Sequence, residues 1–287
     1  MILTALVTTE VLARHLDDHN WIVFDCRHDL ADPARGRAEY SSSHVPGAQF
    51  LSLDEDLSAP KTGRNGRHPL PDPRALIEKL GRAGVDSTKQ VVAYDAQGGM
   101  VAARLWWLLR WLGHLPVAVL DGGWDKWLAE GRLRSAEIPS PRATRFPGTP
   151  RAYWVDADFV ASHLNDRGVT LVDGRAPDRY RGRNETLDPV GGRIPGARNR
   201  YYRDNLDAAG CFKPAATLKR EFAEVFDAAE PAQTVHYCGS GVSACHNLLA
   251  MELAGLHGGR LYAGSWSEWC ADASRPVRAG EPLPDEC

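Results

Sequence analysis

The residues of this chain best suited to chemistry lie in the run Cys238-Gly-Ser-Gly-Val-Ser-Ala-Cys245. The run follows a short apolar stretch, Thr234–Tyr237, and leads into helix-like sequence from His246 onward. A cysteine at the end of a strand, with Gly239 and Gly241 behind it, can be wrapped by a tight loop whose backbone N–H groups point inward. The helix that follows adds the positive end of its dipole. Both effects favour negative charge on sulfur and lower a thiol pKa from its free value of about 8.5. The chemistry implied is nucleophilic attack by a thiolate. An isolated cysteine is more often a small buried hydrophobe, and Cys26, Cys211, Cys245, Cys270 and Cys287 are read that way, the last in a Pro-rich tail. Cys238 stands apart because of its setting between strand, Gly-rich loop and helix. The chain has no CxxC pair and no Cys/His cluster of zinc spacing, so no structural metal is expected.

The elements that must hold this loop occur in two copies. Val7-Thr-Thr-Glu-Val-Leu-Ala-Arg-His-Leu16 leads to Trp21-Ile-Val-Phe-Asp-Cys-Arg27, and Val155-Asp-Ala-Asp-Phe-Val-Ala-Ser-His-Leu164 leads to Val169-Thr-Leu-Val-Asp-Gly-Arg175 at the same offset. His44-Val-Pro-Gly-Ala48 is echoed by Arg193-Ile-Pro-Gly-Ala197, Val91–Asp95 by Thr234–Cys238, and Gly122-Gly-Trp-Asp-Lys-Trp127 by Gly264-Ser-Trp-Ser-Glu-Trp269. In each copy, Thr9 or Asp156 can cap a first helix. Short apolar runs without polar alternation (Trp21–Phe24, Val91–Tyr94, Val117–Leu120, Thr170–Val172, Thr234–Tyr237) suit strands covered on both faces of a parallel sheet. We expect two tandem α/β domains, residues 1–134 and 153–287. Between them 135–152, with Pro139, Pro141, Pro147 and Pro150, reads as a semi-extended, exposed linker. The copies differ where the central strand ends, at Asp95 in the first and Cys238 in the second. Ligands of open parallel sheets sit beyond the carboxyl ends of the strands, where both loops fall.

Composition narrows the partners. The 287 residues fit about two domains at roughly 150 residues each. With 43% hydrophobic and 25% charged residues the chain reads as globular. Its 34 Lys+Arg against 37 Asp+Glu leave a net charge of −3, which suggests neither nucleic acid nor an anionic membrane as partner. The longest apolar patch, Leu105 to Leu115, is interrupted by Arg110, Gly113 and His114, so no membrane span is expected. The first twelve residues have no basic n-region and no small-residue cleavage site, so a cytoplasmic protein with reduced thiols is expected.

The duplicated layout, the Cys238-Gly-Ser-Gly-Val-Ser-Ala244 loop, the Asp95 loop and Gly264-Ser-Trp-Ser-Glu-Trp269 resemble, over nearly the whole chain, the two-domain rhodanese sulfurtransferases. The resemblance implies two rhodanese-like domains, each a mainly parallel sheet flanked by helices. The first would be an inactive copy with Asp95 in place of the nucleophile, and the second the catalytic one. In that family Arg-Lys after the cysteine typically marks thiosulfate enzymes, and Gly-Ser or Gly-Thr marks 3-mercaptopyruvate enzymes. Gly239-Ser240 therefore implies 3-mercaptopyruvate as donor, with thiosulfate as the alternative. Thiosulfate is a dianion and gains from a cation beside the nucleophile, whereas a monocarboxylate with a ketone can use Ser240 and loop N–H groups. Gly239, Gly241, Val242 and Ser243 would line the donor, Ser243 standing where Thr is more usual.

Asp178-Arg-Tyr-Arg-Gly-Arg183 matches the family's substrate-binding Arg-aromatic-Arg-Gly segment, which carries that role to Arg179, and the Arg fork suits a carboxylate. A second Arg usually follows several residues later. The stretch is shorter here, and Arg183 and Arg193 both qualify. Leu51-Ser-Leu-Asp-Glu-Asp56 and Gly66-Arg-His-Pro-Leu-Pro71 resemble segments that bring an acid and a histidine to the loop, so Asp54 and His68 would join Ser240 in a proton relay. No metal or organic cofactor is implied. The acceptor would be a thiol such as thioredoxin or a low-molecular-weight thiol, or cyanide. Two other classes share parts of this pattern: a persulfide carrier that does not turn over, and a cysteine phosphatase. The phosphatase needs an Arg six residues after its Cys to clamp phosphoryl oxygens, and here that residue is Ala244. The protein should accordingly leave an aryl phosphate unhydrolysed, as the release of a chromogenic phenol would report; steady release would overturn the loop reading.

Overall fold

The computed structural model describes residues 2–164, 166 and 168–281, and Cys287 lies outside them. The chain divides into two compact units. Unit 1 comprises Met1–Ala59, Pro71–Arg151 and Ala208–Cys211; unit 2 comprises Pro60–Leu70, Ala152–Asp207 and Phe212–Cys287. Each unit thus includes a short piece from the other half of the sequence.

Unit 1 is built on strands β1 (Leu6–Val7), β2 (Trp21–Asp25), β3 (Gln49–Phe50), β4 (Gln90–Tyr94) and β5 (Val117–Leu120). Its helices are α1 (Thr9–Arg14), α2 (Arg35–Ser42), α3 (Pro73–Arg82), α4 (Ala102–Trp111) and α5 (Gly123–Ala129). Unit 2 repeats the series with β6 (Trp154–Val155), β7 (Thr170–Asp173), β8 (Arg198–Asn199), β9 (Thr234–Tyr237) and β10 (Arg260–Tyr262). Around them lie α6 (Ala157–Ser162), α7 (Pro177–Tyr180), α8 (Ala215–Phe226), α9 (Ser243–Leu253) and α10 (Ser265–Trp269). The sheet orders are β1-β5-β4-β2-β3 and β6-β10-β9-β7-β8, and every pairing is parallel. The expected parallel-sheet α/β fold with flanking helices is what the chain forms. The apolar runs become the inner strands, whose residues are buried almost throughout. From β2 the chain passes to β3 on one side, and from β4 to β5 on the other. The crevice at the carboxyl ends of β2 and β4, and of β7 and β9, is therefore a topological switch point.

The core of unit 2 joins Val155, Val160, Leu171 and Val235 to Tyr237, Tyr262, Trp266 and Trp269. Trp266 and Trp269 are fully covered, and their indole N–H groups donate to Val190 O and Pro276 O, both at 2.9 Å. Each such ring removes roughly 200 Å² from water, on the order of 5 kcal/mol of transfer free energy. Their burial seats α10 against the strand ends that bear the site.

One local expectation is amended. The cap of α1 is Thr8, whose side chain accepts the Val11 N–H at 3.2 Å; Thr9 is already helical, and its hydroxyl donates to Glu130. Thr8 has the extended backbone a cap requires, and Thr9 does not. Asp156 caps α6 as expected, accepting the Phe159 N–H at 2.8 Å. The proline-rich segment is extended and largely exposed, yet its stretch up to Arg151 belongs to unit 1. Thr144 bonds Gly81 O and Val85 O, and Phe146 is buried.

The loop after β4 closes on a charge of its own. Asp95 is buried, and its carboxylate accepts the backbone N–H groups of Gln97, Gly99, Val101 and Ala102 at 2.7–2.9 Å. Burial pushes its carboxyl above the usual aspartate range, against the pull of those four donors. Asp95→Ala should orphan them and destabilise unit 1 by about 3 kcal/mol, read as an earlier urea-unfolding transition; an unchanged midpoint would mean that water replaces the carboxylate at no cost.

Candidate functional site

Cys238 begins the corresponding loop of unit 2, directly after β9, and is 2% exposed. Its carbonyl accepts the Trp266 N–H at 3.0 Å, just as Asp95 O accepts the Trp124 N–H at 2.8 Å. The two loops therefore start from the same anchor. The Gly239 carbonyl accepts the Ser267 N–H at 2.9 Å, so the N-terminal turn of α10 grips two successive carbonyls of the loop. Gly241 then turns the chain with φ +77°, and a Cβ there would lie 2.3 Å from Ala263 O. Only glycine combines that dihedral with that approach. The loop runs into α9 with no side-chain cap at Val242. In unit 1 the carboxylate of Asp95 meets the N–H groups at the start of α4. Residues 238–242 contain no acid that could do the same, so a helix N-terminus with its partial positive charge faces the Cys238 loop.

Ser265 is a residue that the sequence pattern did not single out. It is fully buried and has φ +55°, at the position where unit 1 has Gly123 with φ +56°. A non-glycine residue held in the left-handed region costs of order 1 kcal/mol and persists where its surroundings impose it. Its hydroxyl accepts the Cys238 N–H at 3.1 Å and donates to Tyr262 O at 2.9 Å. The strained serine therefore fixes the backbone at the cysteine. The visible clue was the single departure, Gly-Ser-Trp against Gly-Gly-Trp, inside an otherwise repeated motif.

Ser240 and His68 are brought together. Ser240 Oγ lies 2.7 Å from His68 Nδ1, and both side chains are buried. The segment carrying His68 belongs to unit 2, where the Arg67 N–H donates to Ser267 Oγ at 3.0 Å. Asp54 lies in unit 1, its carboxylate 4.0 Å from His28 Nε2. Ser243 opens α9, and Val242 and Ser243 are both buried beside the loop.

Arg179 projects from the short α7. Its Nε and Nη2 fork onto Glu185 at 2.8–3.1 Å, and Nη2 also lies 3.5 Å from Asp188. Asp188 pairs in turn with Arg67. Burial alone would raise the Glu185 carboxyl, but hydrogen bonds from Arg179 and from the Leu187 and Asp188 N–H groups bring it below the usual range. A Cβ on Gly239 would stand 2.7 Å from Arg67 Nη2 and 3.6 Å from both Nη atoms of Arg179. Two guanidinium groups thus reach the first residue after the cysteine, and the smallness of Gly239 leaves them room. The other two arginines sit differently. Arg183 has a 65% exposed side chain paired with Glu281. Arg193 is wholly buried, with Nη1 donating to Gly280 O at 2.9 Å and its guanidinium over the Tyr180 ring.

Neighbouring groups have structural work. Burial holds the His236 pKa at about 3, so its ring stays neutral, 3.1 Å from Thr234 Oγ1. His246 stacks on Phe212. The Cys245 thiol donates to Gly241 O at 3.3 Å. Cys270 is pushed up to about 11 by burial and by Asp188, and burial likewise raises Cys26. Among the described residues no cysteines form a disulfide, and no helix is long and apolar enough to cross a membrane. The arrangement as a whole is a buried thiol in a rigid, acid-free loop at a helix N-terminus, a hydroxyl–imidazole pair beside it, and two arginines held by two carboxylates. It can support a sulfur nucleophile, an anionic product on that sulfur, proton transfer and recognition of an anion.

Comparison with known proteins agrees with this geometry. The rhodanese-like domain matches twice, over residues 8–130 and 156–272. A protein of Pseudomonas aeruginosa named a probable 3-mercaptopyruvate sulfurtransferase is 46% identical over 279 residues, covering 96% of this chain and 98% of its own. A thiosulfate sulfurtransferase of Cricetulus griseus is 32% identical, covering 95% of this chain and 97% of its own. Among solved structures, the 3-mercaptopyruvate sulfurtransferase from Leishmania major superposes with a TM-score of 0.85 at 28% identity, over 96% of this chain and 76% of that one. With both halves matched and relatives of this identity spanning nearly its full length, the chain belongs to the rhodanese-like family.

Proposed function

We propose that the chain is a sulfurtransferase that moves the sulfur of 3-mercaptopyruvate, through a persulfide on Cys238, to a thiol or cyanide. The observation that carries this reading is the pair of matched loops. In unit 1 the N–H groups after the central strand close on the Asp95 carboxylate. In unit 2 the loop from the same anchor holds a cysteine and no acid. Such a loop suits an anion formed on sulfur during turnover. On this reading residues 1–134 are the inactive copy, 135–152 the linker and 153–287 the catalytic domain. The location is the cytoplasm, in keeping with reduced thiols.

The Cys238 thiolate attacks the donor's sulfur. An S–S bond forms, the C–S bond breaks, and its electron pair remains on carbon as the enolate of pyruvate. The enolate carbon takes a proton, and the proton of the donor's thiol is given up, so the net products are a Cys238 persulfide anion and pyruvate. The Ser240–His68 pair relays that proton, a role supported by their 2.7 Å separation. The resemblance adds Asp54 as the acid of the relay. Arg179 holds the carboxylate, and Gly239, Gly241, Val242 and Ser243 shape the loop around the sulfur. A thiol such as thioredoxin or a small thiol, or cyanide, then removes the outer sulfur and regenerates the thiolate.

The charges near Gly239 favour a monoanionic donor. Arg67 and Arg179 are matched by Asp188 and Glu185, so the four groups sum to zero and offer a thiosulfate dianion no surplus cation. Steady-state sulfur transfer to cyanide should give 3-mercaptopyruvate at least about a tenfold advantage in kcat/KM over thiosulfate, roughly 1.4 kcal/mol at the transition state. Cys238→Ser should abolish transfer from both donors while leaving the unfolding midpoint unchanged. A preference for thiosulfate would overturn the donor, one sulfur accepted without turnover would make the protein a carrier, and activity in Cys238→Ser would overturn the nucleophile.

A further inference from the structure

We infer that the Asn65–Gly66 bond is a self-modifying site, which converts through a cyclic imide to isoaspartate and in doing so draws His68 away from Ser240. The conversion needs only this chain and water; the activity it costs rests on the sulfurtransferase reading. Of the seven asparagines in the chain, Asn65 alone is followed by glycine. That neighbour matters because the attacking atom is its backbone nitrogen, and without a Cβ nothing crowds the ring that forms. Among the described residues the Gly66 N–H has no hydrogen-bond partner, so its proton is not tied up. The Asn65 amide is polarised in the direction the reaction needs. The Thr62 N–H donates to its Oδ1 at 2.8 Å, and its Nδ2 donates to Pro60 O at 3.1 Å. A donor on Oδ1 stabilises the negative charge that develops there as nitrogen adds to Cγ. Residues 61–64 are exposed and Asn65 partly so, which gives water access to the ring.

In the first step Gly66 N bonds to Asn65 Cγ, the Cγ–Nδ2 bond breaks, and Nδ2 leaves as ammonia with the proton of the Gly66 N–H. Water then opens the imide at one of its two carbonyls. Opening at the side-chain carbonyl gives aspartate. Opening at the main-chain carbonyl gives isoaspartate, in which the chain runs through Cβ and is longer by one carbon. That carbon enters where the segment has no slack. Gly66 turns the chain with φ +81°, and a Cβ on it would stand 2.7 Å from Gly264 O and 3.2 Å from Ser267 Oγ. The Arg67 N–H is bonded to the same Ser267 Oγ at 3.0 Å, and His68 Nδ1 lies 2.7 Å from Ser240 Oγ. A longer backbone at residue 65 moves both residues off these partners. Aspartate adds a charge and leaves the path of the chain as it was.

The test follows wild type and Asn65→Gln, whose longer side chain closes its ring far more slowly, through prolonged incubation in mildly alkaline buffer. Three quantities are read: peptide mass with enzymatic methylation of isoaspartate, sulfur transfer to cyanide, and tryptic cleavage after Arg67, which needs no turnover. In wild type, Asn65 should convert at least about tenfold faster than any of the other asparagines, the advantage of an unhindered ring closure. Transfer should fall in proportion to the isoaspartate fraction, and trypsin should cut faster after Arg67. Asn65→Gln should keep its transfer over the same period, and freshly made Asn65→Asp should transfer within about twofold of wild type. Conversion no faster than elsewhere in the chain would overturn the site. Conversion with unchanged cleavage after Arg67, or transfer lost equally in Asn65→Gln, would overturn its consequence. If fresh protein transfers sulfur from neither donor, the sulfurtransferase reading fails, and mass and cleavage still decide whether Asn65 converts and releases the segment.

Discussion

A buried aspartate–arginine fork at the end of the second strand of each unit holds the loops and helices around the strand ends in place. In unit 2 the Arg175 guanidinium binds Asp173 at 2.7–3.2 Å, donates to Gly192 O at 2.6 Å, and lies 4.7 Å from the centre of the Trp266 ring. In unit 1 Arg27 does the same with Asp25, Ser43 O and Trp124. Burial works against the Arg175 charge, yet Asp173, Tyr237 and Glu185 more than offset it, and the group is held charged. Isolating either partner would leave a bare charge in the interior, so the pair is costly to break even where its net contribution to stability is small. Its value lies in geometry. One side chain ties β7 to the loop before β8 and to α10, whose first N–H groups hold the Cys238 and Gly239 carbonyls. A further nitrogen, Nη1, stands 3.5 Å from Glu185, the acid that orients Arg179.

With that frame duplicated, the two loops can be read against each other. Unit 1 fills the space beyond its central strand with the Asp95 carboxylate and spends its N–H donors there. Unit 2 shortens the path from strand to helix, replaces the acid with Cys238, and exchanges the glycine at the neighbouring left-handed position for Ser265. The exchange costs backbone strain and yields a hydroxyl on the Cys238 N–H. The left-handed backbone at Ser265 is thus held beside the Cys238 loop, where unit 1 needs only a glycine.

What the sequence discloses follows from how local each feature is. The inner strands were visible as apolar runs because a doubly covered parallel strand has no polar face to confuse the pattern. The Cys238 loop was visible because strand, nucleophile, glycines and helix are contiguous. Resemblance supplied His68, which the structure sets against Ser240, and Arg179, which it sets at Gly239. Nothing in Gly66-Arg-His-Pro says that residues 60–70 join the second unit, so the position of Arg67 is not legible in the sequence. Glu185 and Asp188 are not legible in the sequence, because isolated acids in a loop carry no pattern until the arginines they face are in place. Arg183 and Arg193 looked equivalent in sequence; their partners, Glu281 and Gly280, lie nearly a hundred residues away. Thr8 and Thr9 were separable only by backbone dihedral.

On the proposed route, sulfur passes through a covalent bond to Cys238. The most direct measurement is intact and peptide mass spectrometry of the protein after one equivalent of 3-mercaptopyruvate with no acceptor present, alongside an assay for pyruvate. The expected result is the mass of one added sulfur atom, located on the peptide containing Cys238, with pyruvate released in equal amount and the added mass lost on addition of cyanide. Added sulfur on a different cysteine, or pyruvate released without any, would contradict it.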